Sequence, residues 1–178
     1  MKRILTLACC ISLCSLPGLA AQKNASKRPA MSDQQFVDFA GQTDMVDANL
    51  GDLASLAASS EPVKDFGQKL VTAKTDDYRQ LSKAAHDVNL TVPTAIDKEH
   101  NRTMIDPFQK VKGASFDRRF AKEMVAGETR AIAIYKREVA DSQNAALRSY
   151  AEEALPTLQG HLAEAKNMEK TMSAAKKG

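Results

Sequence analysis

Tryptophan is absent from this 178-residue chain, aromatic residues make up 5% of it, and cysteine occurs three times. So few aromatics, beside plentiful Ala, Leu, Lys, Glu, Asp and Gln, argue against a β-sandwich or barrel, whose strands draw on aromatic and β-branched side chains. Eight Gly and six Pro are too few for a collagen-like or low-complexity chain, and an apolar content of 43% is too high for a wholly disordered one. Beyond the N-terminus no hydrophobic run approaches the roughly 20 residues that cross a bilayer, and there is no glycine-rich phosphate loop. What survives is an all-α single domain, of a size at which one core buries roughly 70% of the unfolded surface.

Residues 1–21 read as a secretory signal peptide rather than as part of the fold. Lys2 and Arg3 form a positive start, Ile4 to Leu16 an apolar run, Pro17 and Gly18 a break, and Leu19, Ala20 and Ala21 a small-residue cleavage region. Cys9, Cys10 and Cys14 all fall inside it, and Thr6-Leu7-Ala8-Cys9 comes too early for a lipid-anchor signal. Its removal would leave no thiol, which excludes disulfides, thiolate nucleophiles and Cys-ligated zinc from the exported product. The formal charge would fall from +3 to +1. With Lys and Arg interspersed among acids, no basic stripe is visible along the chain, so nucleic acid is not expected as a partner. No other segment can span a membrane, and the expected location is the bacterial periplasm, with secretion beyond it left open. No protein partner can be named.

Gln22 to Met31 is a polar leader. Ser32-Asp33-Gln34-Gln35 then forms a capping box, and Phe36, Phe39, Thr43, Val46, Leu50, Leu53 and Ala57 repeat at helical spacing to about Ser59. Ser60-Glu61-Pro62 ends one helix and begins the next, whose stripe is Val63, Phe66, Leu70, Leu81, Ala84 and Val88, ending near Asn89. So short a turn makes the two antiparallel. Residues 94–114 predict a crossover with a short helix interrupted at Pro107 and closing at Gly113. A third helix capped by Ser115 follows, with stripe Phe116, Phe120, Met124, Ala131, Ile134 and Tyr135. After the turn Asp141–Asn144 comes a fourth, kinked at Pro156, carrying Leu147, Tyr150, Ala154, Leu158, Leu162, Ala165, Met168 and Met172. Residues 32–172 are thus expected to form an antiparallel four-helix bundle, and Ser173 to Gly178 a frayed basic tail.

Polar residues fall on these stripes at mid-helix: Asp47 beside the first seam, Lys74 and Asp77 in the second, Glu128 in the third and His161 in the fourth. In an antiparallel bundle they share one height. Buried charge is costly unless paired or metal-bound, which leaves three readings. Asp47, Glu128 and His161 bind a divalent ion; the Lys74 ammonium bridges the carboxylates and replaces the ion; or Lys74 snorkels to solvent. The second is preferred, because an ammonium at a ligand position repels a cation. His86 and His100 have charged neighbours and read as solvated, and no Ser/His/Asp arrangement suggests a nucleophile.

The segments "FGQKLVTAKTDDYRQL" (66–81), "LTVPTAIDKEH" (90–100), "FDRRFAKEMVAGETRAIAIYKRE" (116–138) and "LRSYAEEALPTLQGHLAEA" (147–165), with the run Phe36–Leu53 and the turn through Pro62 and Val63, resemble the exported bacterial family called domain of unknown function 4142. The resemblance spans residues 32–172 and implies a ferritin-like four-helix bundle and a periplasmic or outer-membrane setting. It also implies a ligand set on helix one resembling Asp47 and Asn49, with imidazoles where this chain has Lys74, Glu128 and His161. This chain keeps His161 and the acid at 47 and departs at 49, 74 and 128. It also lacks the paired Glu-x-x-His motifs of di-iron carboxylate bundles. The expected function is that of a non-enzymatic structural or stress-associated bundle with a charge-compensated core layer and no resident cofactor. The alternative is a divalent-metal-binding protein using Asp47, Glu128 and His161.

Overall fold

The computed structural model describes residues 31–175; the segment read as a signal peptide, leader residues 22–30 and residues 176–178 lie outside the described residues. Among the described residues every regular element is helical: α1 (Asp33–Ala57), α2 (Glu61–His86), the connector pieces α3 (Lys98–His100), a π turn (Asn101–Ile105) and α4 (Asp106–Gln109), then α5 (Ala114–Asp141) and α6 (Ala145–Ala175). The capping box is formed as expected: Ser32 Oγ accepts from the Gln35 backbone N–H, and the Gln35 side chain accepts from the Ser32 N–H. Helix α2 closes in a Schellman motif, with Leu90 N–H donating to the Ala85 carbonyl, Asn89 N–H to the His86 carbonyl, and Asn89 left-handed at φ 59°. Hence Asn89 marks the true end of that helical path.

α1 packs on α2 and α5 on α6, while α2–α6 and α1–α5 contacts close the bundle. The connector carries the chain from the end of α2 to the start of α5 at the opposite end, so all neighbours run antiparallel with one long crossover. Two further ties hold the crossover. Gln42 donates to the Ala95 carbonyl and accepts from Asp97 N–H, and the Gly113 N–H donates to the Ala57 carbonyl at 2.7 Å.

Three local expectations are corrected. Ser115 does not cap the third helix. The cap is Gly113, whose φ of 63° disfavours a side chain, and Ser115 Oγ instead accepts from Arg118. The connector is not cut at Pro107. The helix widens just before it, with Asp106 N–H bonding to the Asn101 carbonyl five residues back, which accommodates a ring that would crowd a regular turn. Ser173 is not frayed, because α6 runs on to Ala175. Pro156 lies inside that unbroken helix.

The core has two apolar halves. One gathers Phe36, Ala40, Leu81, Ala131, Tyr135, Leu147, Tyr150 and Leu158 at the start of α1. The other gathers Leu50, Val63, Phe66, Leu70, Phe108, Phe116, Phe120, Met124 and Met168 at its end. In the second half α1 and α2 cross at Gly51 and Gly67, where a Cβ on either would lie 2.6–2.7 Å from the other's carbonyl oxygen. Glycine is therefore required there.

Candidate functional site at the mid-bundle polar layer

Between the two halves lies the layer that the periodicity points to. Asp47 on α1, Lys74 and Asp77 on α2, Glu128 on α5 and His161 on α6 are all buried, and so is Asp44. Each follows from its helix register: Lys74 is one turn beyond Leu70, Glu128 one turn beyond Met124, and His161 seven residues beyond Ala154. The Lys74 side chain is fully enclosed, which disposes of the snorkelling reading.

Its Nζ lies 3.2 Å from Asp47 Oδ2, 3.5 Å from Glu128 Oε1 and 3.9 Å from Asp44 Oδ1. His161 Nδ1 is 3.3 Å from the same Glu128 oxygen, and its ring meets Phe66 edge-on with centroids 5.7 Å apart. The ammonium thus occupies the centre on which the carboxylates converge. Several polar atoms still lack a well-aligned hydrogen bond, among them both oxygens of Asp44 and Glu128, Lys74 Nζ and His161 Nδ1. Here charge attraction rather than hydrogen-bond geometry holds the groups.

Four carboxylates face one ammonium and one imidazole, so charge pairing alone does not balance the layer. Burial favours the neutral form of several of these acids. Burial raises the Asp44 carboxyl well above its usual range despite Lys74, and raises Asp47 to about 6 against the same attraction. Burial also lifts Asp77. Burial opposes the charge on Lys74, but the surrounding carboxylates, Asp47 first, outweigh it and raise its pKa.

His161 is the member nearest solvent, its side chain 11% exposed at the floor of an open groove between α2 and α6 lined by Gln68, Lys69, Thr72 and Ala73. A Lys69–Glu164 ion pair of 2.9 Å joins the same two helices. His86 is open to water, and His100 is half-exposed against Asp97.

Three buried acids escaped the sequence reading: Asp44, Asp117 and Glu138. Asp44 was legible as the position four beyond Ala40 and three before Asp47. Asp117 lies on the buried row Asp117, Ala121, Met124, Glu128. It accepts from the backbone N–H groups of Ser59 and Ser60 at 3.0 and 3.1 Å, tying the α1–α2 turn to α5. The absence of a basic stripe is also corrected: the acids that separate Lys and Arg along α5 turn inward or to the flank, leaving its solvent face basic.

Fold and layer together define the class: a one-crossover antiparallel bundle with an ionised core. Residues 18–168 match the family described as domain of unknown function 4142, and the chain belongs to that family. No curated protein matches it. Two solved structures share its fold. CopM in the Cu(II)-bound form is 12% identical with a TM-score of 0.65, and CopM in the Ag-bound form is 13% identical with a TM-score of 0.63. Each match covers 78% of this chain and 96% of the other.

Among the described residues, no three His, Cys, Asp or Glu side chains are grouped so as to hold a metal ion. The donor set points the same way. The layer offers one imidazole and otherwise carboxylate oxygens, arranged around the Lys74 ammonium. A divalent ion would also have to displace an ammonium whose charge its neighbours stabilise.

Proposed function

We propose that this is an exported, non-enzymatic helical-bundle protein, structural or stress-associated in role, which carries its own cation in the form of Lys74. The observation that supports this is the placement of Lys74 Nζ within 4 Å of Asp44, Asp47 and Glu128. An ammonium there supplies the positive charge that a bundle-core metal would bring, and no nucleophile accompanies it. Protein isolated from the periplasm is expected to contain Fe, Mn, Zn and Cu well below one ion per chain, with His161→Ala leaving those contents unchanged. Stoichiometric metal that disappears in His161→Ala overturns this reading.

That outcome would favour a second reading, divalent-metal binding through Asp47, Glu128 and His161. The excess of buried carboxylates over cations speaks for it, as does the shared fold with CopM in its Cu(II)- and Ag-bound forms. It requires Lys74 to leave the chamber, so Lys74→Ala should raise metal affinity.

A further inference from the structure

Among the described residues, α5 is the one long helix whose solvent-facing sector is basic. Arg118, Arg119, Lys122, Arg130, Lys136 and Arg137 are all exposed. At 3.6 residues per turn they fall within a sector of about 120°, centred opposite the buried row and about 28 Å long. The acids of α5 lie elsewhere: Asp117, Glu128 and Glu138 are buried, Glu123 is half-buried on the flank, and Asp141 ends the helix. By contrast α1 has no Lys or Arg, and the exposed faces of α2 and α6 mix Lys69, Arg79, Lys166 and Lys170 with Asp65, Asp76, Glu152 and Glu153.

Arg118, Arg119, Lys122, Arg130 and Lys136 form no ion pair among the described residues, although ion pairs do form on the exposed faces of α2 and the connector. Two of the guanidiniums lie over aromatic rings, Arg119 above Phe108 at 5.0 Å and Arg130 above Phe39 at 5.4 Å, which holds them in place. Between the two rows of cations run Ala126, Thr129, Ala133 and Ala140, small side chains that let a surface approach closely. The sector has no large apolar residue to insert into a bilayer and no aromatic ring on which a base could stack.

From these features we propose that the α5 face is a docking surface for an anionic membrane, binding the phosphates of lipid headgroups through its Arg and Lys rows without insertion. A one-signed ridge with nothing to bury suits a headgroup plane, and the export expected from residues 1–21 places the chain beside membranes rather than nucleic acid. The inference is independent of whether the central layer holds a metal.

Vesicle co-sedimentation of the purified protein tests it, using phosphatidylethanolamine vesicles with and without phosphatidylglycerol. The protein is expected to bind the phosphatidylglycerol vesicles and to be released by salt. Arg118→Gln, Lys122→Gln and Lys136→Gln combined should weaken binding about a hundred-fold, with helical circular dichroism unchanged. Lys83→Gln, Lys166→Gln and Lys170→Gln combined, which removes the same charge from other helices, should bind as wild type. Equal loss in both triple variants, no loss in the first, indifference to phosphatidylglycerol, or tighter binding to duplex DNA than to vesicles would overturn the proposal.

Discussion

The two halves of the core meet the charged layer in different ways. The half at the start of α1 is rich in alanine and closes on two tyrosines, Tyr135 and Tyr150, whose hydroxyls bond to each other at 3.0 Å beneath Phe36. Burial raises both phenol pKa values well above the usual range, and Asp44 adds to the effect. The half at the end of α1 is built from phenylalanines: Phe66 meets Phe120 edge-on, Phe116 stacks on Phe120, and Phe108 of the connector seals the end. Its aromatic contact with the layer is the T-shaped packing of Phe66 on His161. The carboxylate-rich side of the layer thus faces hydroxyl-bearing neighbours, and its imidazole side faces hydrocarbon. Packing stabilises each half, whereas the layer depends on a single ammonium.

That dependence can be broken most severely at Lys74. Lys74→Met keeps the bulk and removes the charge, leaving Asp44, Asp47 and Glu128 buried together. A loss of about 3–5 kcal/mol is expected from urea unfolding. Adding Asp47→Asn and Glu128→Gln should recover much of it, because the uncompensated charges go too. A loss near zero for Lys74→Met alone would mean that the layer is not held by its ammonium.

The second-largest effect is on pH dependence. Asp47 has a folded-state pKa of about 6 against 3.8 for the free side chain. Its contribution is therefore favourable at pH values below 3.8 and is lost as pH rises through 6, since the folded state binds the extra proton. The Asp47 carboxyl by itself should favour folding in mild acid and lose on the order of 3 kcal/mol of that contribution by neutral pH. Asp47→Asn should flatten that part of the profile, measured as the difference in unfolding free energy between variant and wild type across this range.

The phenylalanine half is anchored by Asp117, which holds the α1–α2 turn against α5. Asp117→Ala removes acceptors for the Ser59 and Ser60 N–H groups and should cost about 2 kcal/mol, with faster amide exchange at those two residues. An unchanged exchange rate would show that the turn holds itself.

Helix order, the Ser32 box, the short α1–α2 turn and the height of Lys74, Glu128 and His161 could all be read from the sequence, since they follow from spacing along single helices. Asp117 could not, because its role depends on two turns of chain brought together from 57 and 58 residues away. The Gly51–Gly67 crossing was equally hidden: a helical glycine looks like a weak position until the partner backbone is seen against it. The basic face of α5 was masked by reading charge linearly, where Glu123, Glu128 and Glu138 interrupt it. The charge balance of the layer was half legible: its groups are visible one by one, but how far burial shifts their protons is a property of the assembled core.

The smallest effect isolates the tyrosine half. Tyr135→Phe leaves the Tyr150 hydroxyl buried without its partner and should cost about 1–2 kcal/mol, whereas Tyr135→Phe with Tyr150→Phe replaces both by hydrocarbon and should lie closer to wild type. The double variant then has ring edges on both sides of the layer, as the phenylalanine half has on one. If the hydroxyl pair exists only to satisfy itself, the double variant's pH profile should match that of wild type. A double variant that costs as much as the Tyr135→Phe change alone would show that the hydroxyls serve the layer as well as each other, and the two halves would then differ because the layer demands it.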